Sequence, residues 1–389
     1  MAIKFDWDRG RRQGVITGDY VDQIRERFSV ANKAAKFARH RGRYIPNRLY
    51  AITPGGRFDP GLYKEIEQYI TDNELTTDLL MSDEFVSNVK PKFTKSKIAK
   101  LNLTLRDYQQ DIVTECLDSG RGTVVLATAG GKTLTIASLI ETVYKKTPDM
   151  TCALIVPDRG LVEQTYNDFA EYGVNFTVSK WTGDDELNLA CNVIICNLGI
   201  LQSSNSDTSW LEDIDLCIVD EVHKLRKGNK INNLFKSMRT SHRFGFTGTM
   251  PEEMIDQWNI VGKIGPVLYE RNSYDLRQDN YVANVKVQIL DINYLTEPDY
   301  PTTLRTPAER YKVELDFIIN SDFRNKILTS LCNKFDKNGL IMVDYIEHGN
   351  ILHKYLSSLD KKVYFIRGEV PVEDREKVKD IMEMDDNVI

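Results

Sequence analysis

The stretch Val124-Val125-Leu126-Ala127-Thr128-Ala129-Gly130-Gly131-Lys132-Thr133-Leu134 decides the fold. Apolar, β-branched residues run into a turn of small residues, then Gly-Lys-Thr, and the apolar spacing from 134 to 144 is helical. A strand, a tight loop and a helix in that order make a phosphate cradle. Backbone N–H groups of the turn and of the helix N-terminus face the anion, at the positive end of the helix dipole. On that reading Lys132 sets its ammonium beside the β- and γ-phosphates of a nucleotide, and the Thr133 hydroxyl holds Mg2+. The full pattern GxxxxGK[ST] asks for glycine five positions before Gly131, where this chain has Leu126.

Outward from this loop the pattern alternates. Apolar runs at 122–127, 152–156, 192–196 and 216–219 read as strands, with helical stretches between them. Alternation of that kind predicts a parallel sheet wrapped by helices, in which strands buried on both faces are almost continuously apolar. One of them ends in Asp220-Glu221-Val222-His223. A carboxylate at the tip of a neighbouring strand is what a phosphate-loop enzyme uses to hold Mg2+, and a second polar group orients the attacking water. Asp220 fits the first role and Glu221 the second.

More residues fit the same site. Leu105-Arg106-Asp107-Tyr108-Gln109 lies just upstream of the loop's strand, where Gln109 could read adenine through its amide and Tyr108 or Arg106 could pack on the base. Pro157 follows one strand, Asn197 tips another, and Gly245-Phe246-Thr247-Gly248-Thr249 supplies small hydroxylated residues after a further short run.

The chain has 389 residues, enough for two or three domains, with 41% hydrophobic and 28% charged residues as in ordinary globular proteins. No apolar run approaches the ~18 residues that cross a bilayer, and the N-terminus lacks a signal-peptide stretch. The expectation is a cytoplasmic protein without membrane association, in the host cytoplasm if the chain is viral. The six cysteines are scattered with no C-x-x-C pair, so buried thiols are expected. The net charge of −6 hides an asymmetry. Residues 1–60 hold thirteen Lys/Arg against six acids, an excess of seven, so the rest of the chain is strongly acidic. Ten of the thirteen are arginine, the better fork for phosphate, and Arg39, Arg41 and Arg43 lie in the Lys/Arg-dense segment 33–48. A basic nucleic-acid-binding module over residues 1–92 is therefore expected, and the salt dependence of DNA binding by that stretch tests it. Within it, 3–7 reads as a strand, 19–28 as a helix capped by Asp19, and 60–72 as a second helix.

Residues 93–266 then form the nucleotide-binding domain and 267–389 a further one. In the last part an extended run covers 282–294, a Pro/Thr-rich loop 298–307, and helices 308–335, 348–358 and 372–384. Strands are expected at 339–344 and 362–366, with 387–389 as the start of another.

Leu105 to Gln109, the loop Ala129-Gly130-Gly131-Lys132-Thr133, Asp220-Glu221-Val222-His223 and Thr247-Gly248-Thr249 resemble the Q motif and motifs I, II and III of superfamily 2 helicases. That family tolerates a non-glycine at the position of Leu126. The N-terminal module, with its turn Pro54-Gly55-Gly56 and following helix, resembles that of the phage UvsW-type members. The resemblance implies an α/β fold: a RecA-like motor domain, a small basic α+β module before it and a partial second RecA-like domain after it. It implies ATP and Mg2+ as cofactors, with Arg106, Tyr108, Gln109, Ala129 to Leu134 and His223 around the nucleotide. Lys132, Asp220 and Glu221 are then catalytic, Thr133 and Asp220 hold the metal, and Pro157, Arg159 and Asn197 touch the nucleic-acid backbone. Asp158 stands where the family often has Thr. The implied activity is ATP-driven translocation on branched duplex and single-stranded DNA, recombination intermediates and RNA–DNA hybrids, in company with recombination or single-strand-binding proteins. Residues 340–344 resemble motif IV, but no Gln-x-x-Gly-Arg-x-x-Arg pattern occurs. Arginine fingers are worth ~10³–10⁵ in rate. The expectation is a C-terminally incomplete motor that binds ATP and hydrolyses it slowly unless another chain completes the site; vigorous DNA-stimulated turnover overturns it. Two other readings share the motifs: a DNA-binding or annealing protein with a vestigial ATPase site, and the motor subunit of a restriction-type translocase.

Overall fold

The computed structural model describes residues 2–35, 45–75, 78–225, 231–293 and 306–389. They form two compact units, residues 1–284 and 285–389.

The first unit begins with β1 (Ile3–Asp8), β2 (Gln13–Gly18), β3 (Ser29–Ala31), β4 (Arg48–Tyr50), β5 (Arg57–Phe58) and β6 (Leu79–Met81). They make a four-stranded sheet in the order β5-β2-β1-β6 and a separate β3-β4 pair. Period-two alternation sends Ile3 and Phe5 inward and Lys4 and Asp6 outward. The helix Tyr63–Asp72 buries Tyr63, Ile66 and Ile70, one stripe at helical spacing. Asp19 does not cap the helix Val21–Arg27: its N-cap is Tyr20, in the left-handed region at φ 62°, with no side-chain cap. A capping side chain is dispensable here because Ile24, buried in the module's core, anchors this short helix by packing.

That core is not the module's own. Phe28 lies 5.4 Å from Trp258, and Ile255, Trp258 and Val261 of the helix Met254–Lys263 complete the cluster built on Phe5, Phe58 and Phe85. Gly61 sits so close that a Cβ on it would lie 1.9 Å from the Val261 carbonyl oxygen. The basic module and the domain behind it therefore fold as one body. Trp258→Ala should cost ~3–5 kcal/mol by leaving a cavity, and the whole first unit should unfold at lower urea concentration in one transition. A variant with two transitions, the nucleotide-binding part unmoved, is the contrary outcome.

Next come β7 (Gly122–Leu126), β8 (Cys152–Val156), β9 (Val178–Trp181), β10 (Val193–Asn197), β11 (Leu216–Asp220), β12 (Arg243–Thr247) and β13 (Val267–Arg271). They form one seven-stranded sheet, β13-β7-β12-β11-β8-β10-β9, with every ladder parallel. β12 lies between the loop strand β7 and β11, so the tips of these three strands stand side by side. β8, β10 and β12 are buried along their whole length, as the unbroken apolar runs require. β13 lies beyond residue 266, where the sequence reading begins a further domain. It pairs with β7 as an edge strand and is only half-buried, which is why Val267-Leu268-Tyr269-Glu270-Arg271 carries no apolar signature. The seven-stranded sheet thus runs past residue 266, and the first compact unit extends to Asn284.

The second unit holds helices Pro307–Asn320, Asp322–Lys334, Ile346–Leu356 and Val372–Met384. The strands expected at 339–344 and 362–366 are not regular. Three segments do run side by side: Gly339 N–H donates to the Val388 carbonyl (2.8 Å), Tyr364 N–H to that of Ile389 (2.8 Å), and Val388 bridges Lys362 in parallel. Val388 is fully buried, as expected of an incipient strand. The described part of the extended run, residues 282–293, joins no sheet. The six cysteines are free thiols, four buried and two, Cys191 and Cys332, partly exposed. Among the described residues no helix is long and apolar enough to cross a membrane.

Candidate active site

The loop after β7 leads into the helix Lys132–Tyr144 through two left-handed residues, Ala129 (φ 66°) and Gly131 (φ 76°). Gly131 is the N-cap and offers no side chain. A Cβ there would fall 2.4 Å from Gln109 Nε2. The first N–H groups of a helix have no partner within it, and Thr128, Ala129 and Gly131 are exposed, so these donors open to solvent as an anion site. Leu126 explains its own departure from the glycine pattern. It is fully buried beneath the loop, and a Cβ on Gly130 would meet its Cγ at 2.6 Å; the bulk has moved from one glycine position to under the other.

Gln109 is 2% exposed and braces this loop from below. Its Oε1 accepts from Arg106 N–H (2.9 Å), and Nε2 donates to the carbonyls of Gly130 (3.1 Å) and Gly131 (3.2 Å). Both amide protons are engaged by the backbone, so in this arrangement Gln109 does not present them to a base, contrary to the adenine-reading role expected from its position. Tyr108 joins the brace through its hydroxyl, which donates to the Gly130 carbonyl (2.9 Å) and accepts from Arg106 Nη1 (2.9 Å). Sequence reasoning missed two residues here. Arg271, at the tip of β13, lies 4.7 Å over the Tyr108 ring, and Tyr281 meets Tyr108 edge-on at 5.1 Å with Arg106 5.0 Å above it. Both come after residue 266, and only β13 brings them back.

At the tip of β11, Glu221 adopts φ 49°, ψ 49°, a left-handed conformation that costs a non-glycine residue ~1 kcal/mol or more. It aims the carboxylate at the loop. Glu221 Oε1 lies 3.3 Å from Lys132 Nζ and Oε2 3.1 Å from His223 Nδ1. His223 Nδ1 is also 2.8 Å from Thr247 Oγ1, whose hydroxyl donates to the Thr249 carbonyl (2.9 Å). With its one proton so placed, Thr247 accepts from His223, and the tips of β7, β11 and β12 form one network. Asp220 accepts from the Glu221 N–H (2.9 Å). Burial, then the neighbouring Glu221 charge, push its carboxyl up to about 6, against the pull of Lys132. A carboxylate held out of water beside a second one, at a strand tip in the same sheet as the strand whose loop leads to the Thr133 hydroxyl in the first turn of the next helix, offers hard oxygens of the kind a divalent cation takes. Asp220 and Thr133 therefore fit Mg2+.

The expected nucleic-acid residues lie at the same edge of the sheet. Pro157 follows β8. Asp158 caps the helix Arg159–Tyr172, accepting from Leu161 N–H at 3.0 Å, which accounts for an acid in that place. Arg159 is held by Asp184 (2.6 Å). Arg159 and Asn197 line a cleft of about 660 Å³ with Trp181, Thr182, Gly199 and Asn205. Asn197 is 7% exposed, and its buried Oδ1, like four other buried side-chain atoms among the described residues, has no hydrogen-bond partner. Arg39, Arg41 and Arg43 lie outside the described residues.

Residues 102–252 match the family model described as Type III restriction enzyme, res subunit. The ATP-dependent DNA helicase uvsW of Enterobacteria phage T4 is 26% identical over 293 residues, 72% of this chain and 57% of that protein. The DNA 3'-5' translocase XPB2 of Sulfurisphaera tokodaii is 24% identical over 237 residues, 60% of this chain and 49% of that protein. The chain thus spans about half the length of these relatives. The crystal structure of T4 UvsW superposes over 100% of this chain and 79% of its own, with a TM-score of 0.56 at 19% identity, which speaks for the fold. With the loop, the Asp-Glu-Val-His tip and the Thr-Gly-Thr turn assembled on one parallel sheet, the chain is similar in sequence and fold to DNA helicases and translocases of superfamily 2.

Proposed function

We propose that this chain couples ATP hydrolysis to movement along DNA and so separates strands at branched duplexes, recombination intermediates and RNA–DNA hybrids, in the setting of DNA repair and recombination. One observation carries the reading: the Lys132–Glu221–His223–Thr247 network and the cleft with the orphaned Asn197 oxygen share the carboxyl edge of one sheet. In this reading the loop N–H groups and Lys132 bind the phosphates. Thr133 and Asp220 hold Mg2+, which supplies neutralisation of the phosphate charge when bound. Lys132 exchanges Glu221 for phosphate oxygens, and the released carboxylate orients water and takes its proton. His223 passes that change to Thr247 and the 248–249 turn. The names of the phage and archaeal relatives support DNA as the track.

The test is strand separation on a forked duplex with ATP and with a non-hydrolysable analogue. Separation that needs hydrolysable ATP is expected, slow with this chain alone and faster when a chain that completes the site is added; joining of complementary strands indifferent to ATP is the result of an annealing protein and sinks the proposal. The family description keeps a restriction-type translocase in view, and cleavage of the same duplex with Mg2+ separates the two. Among the described residues no cluster of three or more His, Cys, Asp or Glu could hold a nuclease metal.

The basic module gives a further expectation. For the full chain, Arg39→Ala, Arg41→Ala and Arg43→Ala together should reduce the slope of log affinity against log salt by about 2–3, roughly 0.9 for each phosphate that is no longer neutralised. An unchanged slope removes the module from the DNA path.

A further inference from the structure

Five arginines converge on a cavity of about 240 Å³ between the β1–β2 hairpin and the sheet: Arg9, Arg12, Arg121, Arg239 and Arg243, with Glu84 as the carboxylate in the wall. The cavity lies at the amino ends of β7 and β12, where Arg121 precedes one strand and Arg243 opens the other. It is one strand length, roughly 16 Å by strand rise, from the edge that carries the phosphate loop. It is a different place from the nucleotide site and from the Asn197 cleft.

Arg121 and Arg243 are 2% and 6% exposed. Each uses its three guanidinium nitrogens on backbone carbonyls: Arg121 on Ile264 (2.8 Å), Asn88 (3.1 Å) and Lys263 (3.2 Å), Arg243 on Thr240 (3.0 Å), Lys263 (3.2 Å) and Met238 (3.1 Å). Most of these carbonyls stand at helix C-termini, so part of the role is to cap helices. The buried carboxylate nearby, Asp59, is engaged by Lys263 at 2.6 Å, and Glu84 by Arg9 at 2.6 Å. Asp59 is thus bonded to Lys263 and favours the charge of Arg121 and Arg243 only through space, without a direct bond to either. Burial, then the adjacent Arg243, push Arg121 down to about 9. Both groups remain charged at neutral pH, so the wall holds two like charges side by side out of water. A guanidinium has five N–H donors, and three bonds leave each buried arginine with two. Arg12 donates to the Ser237 carbonyl at the same rim, and Arg239 pairs with Asp213 at 2.8 Å.

We infer that this cavity is an oxyanion site for a phosphate group. A tetrahedral dianion offers several acceptor oxygens to several planar forks at once, which a carboxylate does not. The volume admits the group with bound water, each water taking about 30 Å³. The phosphate is either free or a phosphodiester of a nucleic-acid strand entering from the exposed hairpin side, where Arg9 is 82% exposed. The inference does not depend on the motor reading.

The test is calorimetric titration of the full chain with sodium phosphate at fixed ionic strength, alone and against a short single-stranded oligonucleotide. Saturable phosphate binding is expected. Lys132→Ala should leave it in place, and Arg9→Ala with Arg12→Ala should weaken it about ten-fold or more, as the loss of charged hydrogen bonds does. If that double variant fails to fold, Arg9→Glu, at an exposed side chain, should weaken phosphate to the same extent. An oligonucleotide that displaces phosphate and loses affinity with the arginines makes the ligand a phosphodiester; one that does neither makes it free phosphate. The inference is overturned by absence of saturable binding, by binding that Lys132→Ala abolishes, or by binding that the hairpin arginine substitutions leave unchanged.

Discussion

Lys132→Ala should lower ATP turnover by ~10²–10³ or more, the cost of deleting one positioned donor to developing negative charge, while leaving the fold and DNA binding in place. Strand separation should disappear with it. The side chain is 12% exposed and its partner in the structure is Glu221 at 3.3 Å, so removal takes away no apolar packing. It does leave Glu221 beside Asp220 without its ion-pair partner, with His223 and the Thr247 hydroxyl as remaining contacts and Lys224 as the nearby cation. The same substitution separates a motor from an annealing protein. A motor loses unwinding and keeps the joining of complementary strands; a protein with a vestigial site loses neither. Turnover and unwinding within two-fold of the unaltered chain would remove Lys132 from the phosphates. Glu221→Gln is the companion measurement. It keeps the phosphate donors and loses the proton acceptor, so nucleotide binding should persist where hydrolysis stops.

The parts of this site that were legible in the sequence are those in which chemistry and strand period coincide. An apolar run that ends in Asp220-Glu221 or in Gly-Lys-Thr has to be a strand tip, because parallel strands buried on both faces tolerate polar residues at their ends. Gln109 shows the limit. Its position in the chain is right for the nucleotide, but its amide is turned onto the loop carbonyls, a choice made by three-dimensional donors and acceptors that spacing does not encode. β13 was illegible for another reason. As a half-buried edge strand it needs no apolar signature, and with it Arg271 and Tyr281 escaped notice. The junction between the basic module and the motor was hidden likewise. Trp258 and Gly61 look like a helix residue and a turn residue, and the way their segments fit together is tertiary. The strands expected at 339–344 and 362–366 have the right composition and lie beside 387–389, yet what joins the three segments is a few backbone hydrogen bonds and one bridge rather than a regular ladder.

Asp220→Asn should make the nucleotide-free chain more stable at pH 7.5 and less active. The sign follows from the carboxyl's value, about 6 in the folded chain against 3.8 as the ordinary one. A raised value means that the folded state holds the proton more tightly than the unfolded state. Stability from this group is complete below about pH 4 and is lost as pH rises through 6, on the order of 2–3 kcal/mol by linkage. Asparagine stays neutral and keeps an oxygen for the Glu221 N–H, so it escapes that loss. In chelator, the variant should melt a few degrees higher at pH 7.5 and equal the unaltered chain at pH 4. With Mg2+ and ATP the order should reverse. The unaltered chain gains stability in proportion to the logarithm of ligand over Kd, and the variant, without the carboxylate that favours the cation, gains little and turns over ~10² slower or worse. For the same reason Mg2+-dependent nucleotide binding by the unaltered chain should weaken about ten-fold for each pH unit below 6. A variant that is no more stable than the unaltered chain at pH 7.5 in chelator would show that Asp220 carries no unrelieved charge. Combining both substitutions sharpens the argument. Lys132, ahead of Lys224, draws Asp220 downward, so the stabilisation by Asp220→Asn should be larger in the Lys132→Ala background than in the unaltered chain.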